Sequence, residues 1–157
     1  MANIKETLLV RGFGLTKIPL ILLVGPSVLE VNERRVVIKI PLTRLTRNHL
    51  KCMYFGALCV GADLAGGYLV FRQIRERRVP VSLIFKDFHA DFSKRAEEDV
   101  HFTCEDGQSS LALLEKTLAS GNREEMPVHV TATTPALTGD EPIAKFQLTL
   151  SIKKKDR

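Results

Sequence analysis

Near the C terminus, Phe146, Leu148, Leu150 and Ile152 alternate with Lys145, Gln147, Thr149 and Ser151. A period of two predicts a strand with one buried face. The same alternation puts Val100, Phe102 and Cys104 opposite His101, Thr103 and Glu105, and "MPVHVTATT" reads the same way. In "VPVSLIFKDFHADFSK", Val81, Leu83 and Phe85 share one parity while Phe88, Ala90 and Phe92 take the other, so a long strand with a bulge near Lys86 is expected. Val28 to Val31, the turn "NE" and Arg35 to Pro41 suggest a β-hairpin, followed by the polar loop "TRLTRNHLK". Two other stretches read as helices. "DGQSSLALLEKTLASGN" would bury Leu111, Leu114 and Leu118 and end at Gly121 or Asn122. The first 25 residues suggest two short helices, the first broken by "GFG", the second capped by Thr16 and stopped at Gly25–Pro26. Between hairpin and strands lies an apolar run from Met53 to Phe71, with Asp63 its only charge through Gly67. A helix apolar nearly all round must be wrapped, by a curved sheet or by lipid. The element order is helical, then hairpin, long helix and a set of strands interrupted by one helix: an α+β chain.

Lipid is the weaker solution. The run is long enough to cross a bilayer, but an Asp near a membrane centre costs about 2.5–3.5 kcal/mol. Basic residues flank both ends, so neither orientation is favoured. The amphipathic strands also need a core, which this helix supplies. Glycines 56, 61, 66 and 67 each lower helix stability by about 1 kcal/mol against Ala. Their presence implies that something, a sheet, a helix or a ligand, approaches the backbone closely.

Composition narrows the function classes. The net charge is +5, but the basic residues are scattered and only eight Phe and two Tyr accompany them. A nucleic-acid binder would concentrate its cations in a stripe with interleaved aromatics, so no nucleic-acid partner is expected. Three cysteines, Cys52, Cys59 and Cys104, make no disulfide framework and fit a reducing cytoplasm. "HLKC" and "HFTC" have metal-like spacing, yet residues i and i+3 of a strand face opposite sides and no second pair completes a ligand set. No metal or cofactor is expected.

Asp63 is then the focus. It is either a structural acid paired with a local hydroxyl or Arg, or a general base or nucleophile whose pKa is raised by apolar surroundings. The stretch "NHLKCMYFGALCVGAD" resembles the signature of hotdog-fold acyl-CoA thioesterases of the phenylacetate-pathway branch. Asn48 falls on that family's Asn, Gly56 on its second turn glycine and Asp63 on its catalytic carboxylate, without gaps. Phe92, Lys94 and Ala96 match a further strand-turn-strand stretch. "NH…YFGA…ADLAGG" is similar still more closely to a bacterial hotdog branch of unsettled substrates. Tyr54 and Phe55 depart from the thioesterase pattern, which has His and Gly there.

The resemblance implies a hotdog fold, a curved antiparallel sheet wrapped around a long central helix, over residues 26–157, with residues 1–25 as an added helical segment. It implies acyl-CoA or acyl-carrier thioester hydrolysis at paired sites of a homodimer, or a homotetramer built from it. Asp63, Asn48, Gly56 and Phe55 are the catalytic candidates; Tyr54, His49, Lys94 and Arg95 are candidates for holding substrate. Helix physics agrees: the first N–H groups of a helix lack internal partners and carry partial positive charge, so the Phe55 and Gly56 amides could stabilise an oxyanion. Asp63 lies seven residues beyond Gly56, about 10.5 Å along a helix. One chain therefore does not easily supply both groups, and the donor and acid are expected from different protomers. Two other readings stand: an acyl-CoA-binding protein without catalysis, consistent with the bulky Tyr54–Phe55, and a hydratase or dehydratase, for which His49 would have to act although it does not occupy the expected His position.

Overall fold

Residues 2–155 are described by a computed structural model; Met1, Asp156 and Arg157, which the expected segment bounds include, lie outside the described residues. Two helices open the chain, α1 (Ile4–Thr16) and α2 (Pro19–Leu23). The hairpin strands β1 (Ser27–Val31) and β2 (Val36–Ile40) follow, and then the long helix α3 (Phe55–Arg77). The remainder is β3 (Val81–Phe92), β4 (Val100–Cys104), α4 (Gly107–Ser120), β5 (Glu124–Thr133), the short α5 (Pro135–Thr138) and β6 (Pro142–Lys154). The strands form one six-stranded sheet in the order β1-β2-β4-β5-β6-β3, antiparallel at every pairing. Helix α3 packs against β2, β3, β4, β5 and β6, so the sheet curves around it.

The alternating strands bury the apolar faces their patterns predict, but Ser151 of β6, expected on the polar face, is buried too, its hydroxyl accepting from Arg123 at 2.9 Å and donating to Glu125 at 3.1 Å. Val100, Phe102 and Cys104 are buried, as are Phe146, Leu148, Leu150 and Ile152. In β3 the register slips between Phe85, opposite Leu150, and Phe88, opposite Leu148, which is the expected bulge. Among the described residues α3 is the one helix long and apolar enough to cross a membrane, yet most of its apolar window is buried inside the fold. It starts at Phe55, with Tyr54 as N-cap. Gly61 explains one of the helical glycines: a Cβ there would stand 2.3–2.6 Å from three ring atoms of Phe102, which is fully buried on β4. The sheet approaches the helix backbone at that point.

Three local expectations are corrected. The sequence "GFG" does not break α1, which runs through it to Thr16. Gly14 is present because α2 crosses there: a Cβ on it would lie 2.7 Å from the Leu22 backbone nitrogen. Thr16 does not cap α2; its hydroxyl donates back to the Gly12 carbonyl at 2.9 Å, and α2 starts at Pro19, a residue pre-organised for a first turn. The face α4 buries is Ser110, Leu113, Leu114 and Thr117 rather than Leu111, Leu114 and Leu118. Thr117 can be buried because its hydroxyl donates to the Leu113 carbonyl at 2.9 Å.

The N-terminal helices are tied to the rest of the chain. The Asn3 amide donates to the Val28 carbonyl at 2.7 Å and the Thr7 hydroxyl accepts from the Val28 amide at 3.0 Å, covering the β1 edge. Buried Glu6 accepts from the Tyr68 hydroxyl of α3 and ion-pairs with Arg72 at 3.3 Å. The rings of Phe13 and Phe71 lie 4.6 Å apart, centroid to centroid. The opposite sheet edge, β3, has no such hydrogen-bonded cover among the described residues, and Ile84, Phe88 and Phe92 are exposed on it.

Candidate active site

Two regions hold the residues of interest. The first is the turn leading into α3. Asn48 closes the preceding loop: its side-chain oxygen accepts from the Leu50 amide at 2.9 Å and the Cys52 amide at 3.2 Å. Its backbone amide donates to the Cys52 carbonyl at 2.8 Å, and Lys51 takes a positive φ of 62° to complete the turn. Thr46, a residue that sequence reasoning missed, anchors both ends. It is 1% exposed, its hydroxyl donates to the Pro41 carbonyl at 2.7 Å, and its carbonyl accepts from the Tyr54 amide at 2.8 Å. Its signal in the sequence is slight, a hydroxyl residue two positions before Asn48. The Tyr54 carbonyl accepts from Ala57 and Leu58 at 2.9 and 3.2 Å. As the first two residues of the helix, Phe55 and Gly56 have no intrahelical acceptor for their amides.

The loop 93–99 comes to the same end, with the Met53 amide donating to the Ala96 carbonyl at 2.7 Å. Here Lys94 ion-pairs with Glu141 at 2.6 Å, and Arg95 and His49 are exposed. Tyr54 and Phe55 are half-exposed, their rings 5.0 Å apart, and Phe55 meets Phe92 of β3 edge-on at 6.3 Å. Asn48, His49, Tyr54, Phe55, Gly56, Lys94 and Arg95 are thus gathered around one end of α3.

Asp63 is not with them. It lies two helical turns further on and faces a cavity of about 630 Å³. Side chains of α1, the α1–α2 connection and α2, namely Val10, Phe13, Ile18 and Ile21, form one wall; α3 and the first half of β3 form the others. None of the four wall residues was singled out in the sequence, although they belong to an apolar N-terminal segment in which Glu6 is the lone carboxylate before Glu30. The hydroxyl or Arg partner that a structural acid would need is missing: among the described residues nothing hydrogen-bonds to or ion-pairs with the Asp63 carboxylate, and burial alone pushes its pKa up to about 6. Cys59, one turn earlier, is also pushed up by burial, which keeps it a thiol and a poor nucleophile. The turn can therefore stabilise an anion and the cavity can hold an apolar group beside a weakly acidic carboxyl, but the two are separated along one helix.

Other polar groups are placed elsewhere. His89, Asp91, His129, Lys145 and Gln147 share a shallow groove of about 320 Å³ on the sheet face turned away from α3. His129 and Asp106 stand 3.2 Å apart there. Cys104 points inward and His101 outward from β4, as expected, and all three cysteines are free thiols. Among the described residues no three His, Cys, Asp or Glu side chains are grouped to hold a metal.

A curved antiparallel sheet around one buried helix makes this a hotdog-fold protein, and comparison with solved structures agrees. A Chlorobaculum tepidum protein of unknown function superposes with a TM-score of 0.81 at 13% identity, over 98% of each chain. A Pseudomonas aeruginosa protein described as a "Probable Thioesterase" gives 0.76 at 21%, over 95% of this chain and 96% of its own. A Haemophilus influenzae thioesterase gives 0.65 at 11%, over 86% and 82%. More particularly, residues 7–152 match the family described as "Domain of unknown function (DUF4442)", and the chain belongs to that family. Its match takes in most of α1 and all of α2 as well as the sheet. No curated protein matches the chain significantly.

Proposed function

We propose that this protein hydrolyses an acyl thioester carried by CoA or an acyl-carrier protein, in a homodimer whose sites each combine Asp63 of one protomer with the α3 turn of the other. The observation that carries this reading is Asp63 itself, an unpartnered carboxyl with a raised pKa in an apolar cavity on the central helix. A structural acid would have a partner; a general base is tuned in this way to work near neutral pH. The resemblance of the α3 motif to the phenylacetate-type thioesterases, which implies a catalytic carboxylate at this position, supports the reading, and similar folds belong to proteins described as thioesterases.

Asp63 takes a proton from water as the water attacks the thioester carbonyl, or attacks the carbonyl itself to give an anhydride that water then opens. The Phe55 or Gly56 amide of the other protomer stabilises the oxyanion. Collapse expels the thiolate, which leaves as the thiol after gaining a proton. The Asn48 side chain, its oxygen already occupied, has its amide nitrogen to offer to the carbonyl or the water. Lys94, Arg95, His49 and Tyr54 flank the turn where the carrier's polar groups would lie. The two-protomer arrangement is supported by the distance between Gly56 and Asp63, about 10.5 Å along α3, and by the uncovered β3 edge. Its exposed Ile84, Phe88 and Phe92, continued by Phe55, are apolar surface suited to a second copy.

The test is thiol release from a panel of acyl-CoAs across pH. Because the base must be ionised, kcat/KM should rise tenfold per pH unit below about pH 6 and level off above it. Release that is flat from pH 4.5 to 8, or absent from every acyl-CoA, would defeat the assignment. Tight acyl-CoA binding without release would favour the non-catalytic alternative, whose ground is the half-exposed Tyr54–Phe55 pair beside the turn.

A further inference from the structure

The Asp63 cavity is elongated along α3. Its α3 wall runs from Asp63 to Ile74, eleven residues or about 16 Å. Polar groups inside it are mostly committed: the Tyr68 hydroxyl donates to Glu6, and the Ser82 hydroxyl donates to the Lys153 carbonyl at 3.2 Å. Lys155 stands at the other end, its backbone amide held by the Pro80 carbonyl at 2.7 Å. What remains between Asp63 and Lys155 is an apolar channel, and α1 and α2 close it on one side. Without Val10, Phe13, Ile18 and Ile21 the α3 and β3 walls would face solvent. The α1–α2 pair is fixed at three places: Glu6 on Tyr68 and Arg72, Phe13 on Phe71, and α1 along β1.

We infer that the N-terminal helix pair roofs an acyl-chain channel and that Phe13 gauges the length of the chain it accepts, with a match at about ten carbons. The Phe13–Phe71 pair stands eight residues beyond Asp63, about 12 Å along the helix. An extended alkyl chain of carbons about 1.5 Å apart advances about 1.25 Å per bond, so roughly ten carbons reach from the carbonyl to that pair. A cavity of about 630 Å³ lies within the range of about 300–1,000 Å³ usual for small-molecule sites. This inference rests on the reading of Asp63 as the group beside the thioester carbonyl.

The experiment compares saturated acyl-CoAs from two to sixteen carbons, by kcat/KM in the parent and by calorimetric binding to the Asp63→Ala protein. Affinity should rise about fourfold per methylene up to about ten carbons and then level off. Phe13→Ala should move the plateau to longer chains. Ile18→Trp, at a half-exposed position that tolerates bulk, should move it to shorter ones, which keeps the test open if Phe13→Ala fails to fold. A chain-length profile unchanged by folded variants at both positions overturns the role of the helix pair and leaves the hydrolase reading intact. Neither binding nor release with any chain in the parent overturns both.

Discussion

Asp63→Asn should abolish most thiol release and at the same time make the protein more stable. Loss of a general base typically lowers turnover by about 10²–10⁴-fold. The stability change follows from linkage. Burial raises the Asp63 pKa from 3.8 to about 6 in the folded chain. Below about pH 4 the carboxyl is protonated folded or unfolded, and its burial carries no charge penalty. As pH rises through 6, ionisation favours the unfolded state, so the contribution present in acid is lost. A shift of this size corresponds to about 3 kcal/mol at neutral pH, an upper figure because residual solvent screens the charge. Asn resembles the protonated acid and escapes the penalty. For a chain of this length the gain is a rise in Tm of about 6–12 °C, seen by calorimetry at pH 7.5 and vanishing below pH 4. Such a trade of stability for activity is the mark of a functional group; a structural carboxylate would lose stability when neutralised. Unchanged turnover, or a lower Tm at pH 7.5, would contradict the assignment.

Phe102→Ala should be the most destabilising single truncation in the core, and its effect should reverse the sign of a second substitution. Phe102 is fully buried between α3 and the sheet, with Phe146 at 6.2 Å. Truncating such a ring costs about 3–5 kcal/mol, a large part of the about 5–15 kcal/mol that holds a domain folded. Gly61→Ala alone should also destabilise, by about 1–3 kcal/mol, because its methyl meets the ring at 2.3 Å and the ring has nowhere to go. In the Phe102→Ala background that methyl enters the vacated space, and Ala is the better helix former by about 1 kcal/mol. Gly61→Ala should therefore stabilise the truncated protein. Denaturant titration of the four proteins measures the coupling; additive effects would mean that the helix and sheet do not meet at Gly61.

Much of this architecture was legible because strands that pack on one face only have to alternate. Strand β4 does so without interruption and β6 does so from Lys145 to Leu150, and the parity change in β3 marked its bulge to within a residue of Lys86. The central helix was legible from an apolar run too long for a strand. Glycine was the poorest guide. In α1 two glycines read as a break, yet the space that Gly14 provides is used by α2 crossing over it, a contact between segments that no local pattern reveals. Leu111 and Leu118 attracted the buried face of α4 on hydrophobicity, whereas Thr117 occupies it by donating to its own helix.

At the site, Asp63 stood out as a charge without company, and the loop before α3 stood out by its motif. The cavity beside Asp63 was illegible because its wall comes from α1 and α2, more than forty positions away in the chain. Nor could spacing alone reveal that the Asn48 oxygen closes its own loop, since that depends on the left-handed turn at Lys51.

The claim on which the functional account turns is that acid and oxyanion donor come from different chains, and mixed dimers test it directly. Asp63→Asn removes the acid, and Phe55→Pro removes an amide donor at the first helical position, where proline is tolerated and the preceding Tyr54 is already extended. Each variant alone should be inactive. When the two chains are co-expressed and re-assorted at random, half the dimers are mixed, and each mixed dimer has one intact site. Recovery of about a quarter of the parent's thiol release is expected, a fraction that follows from the two-fold symmetry. A mixture shown by mass spectrometry to contain mixed dimers, yet as inactive as its parts, would contradict it.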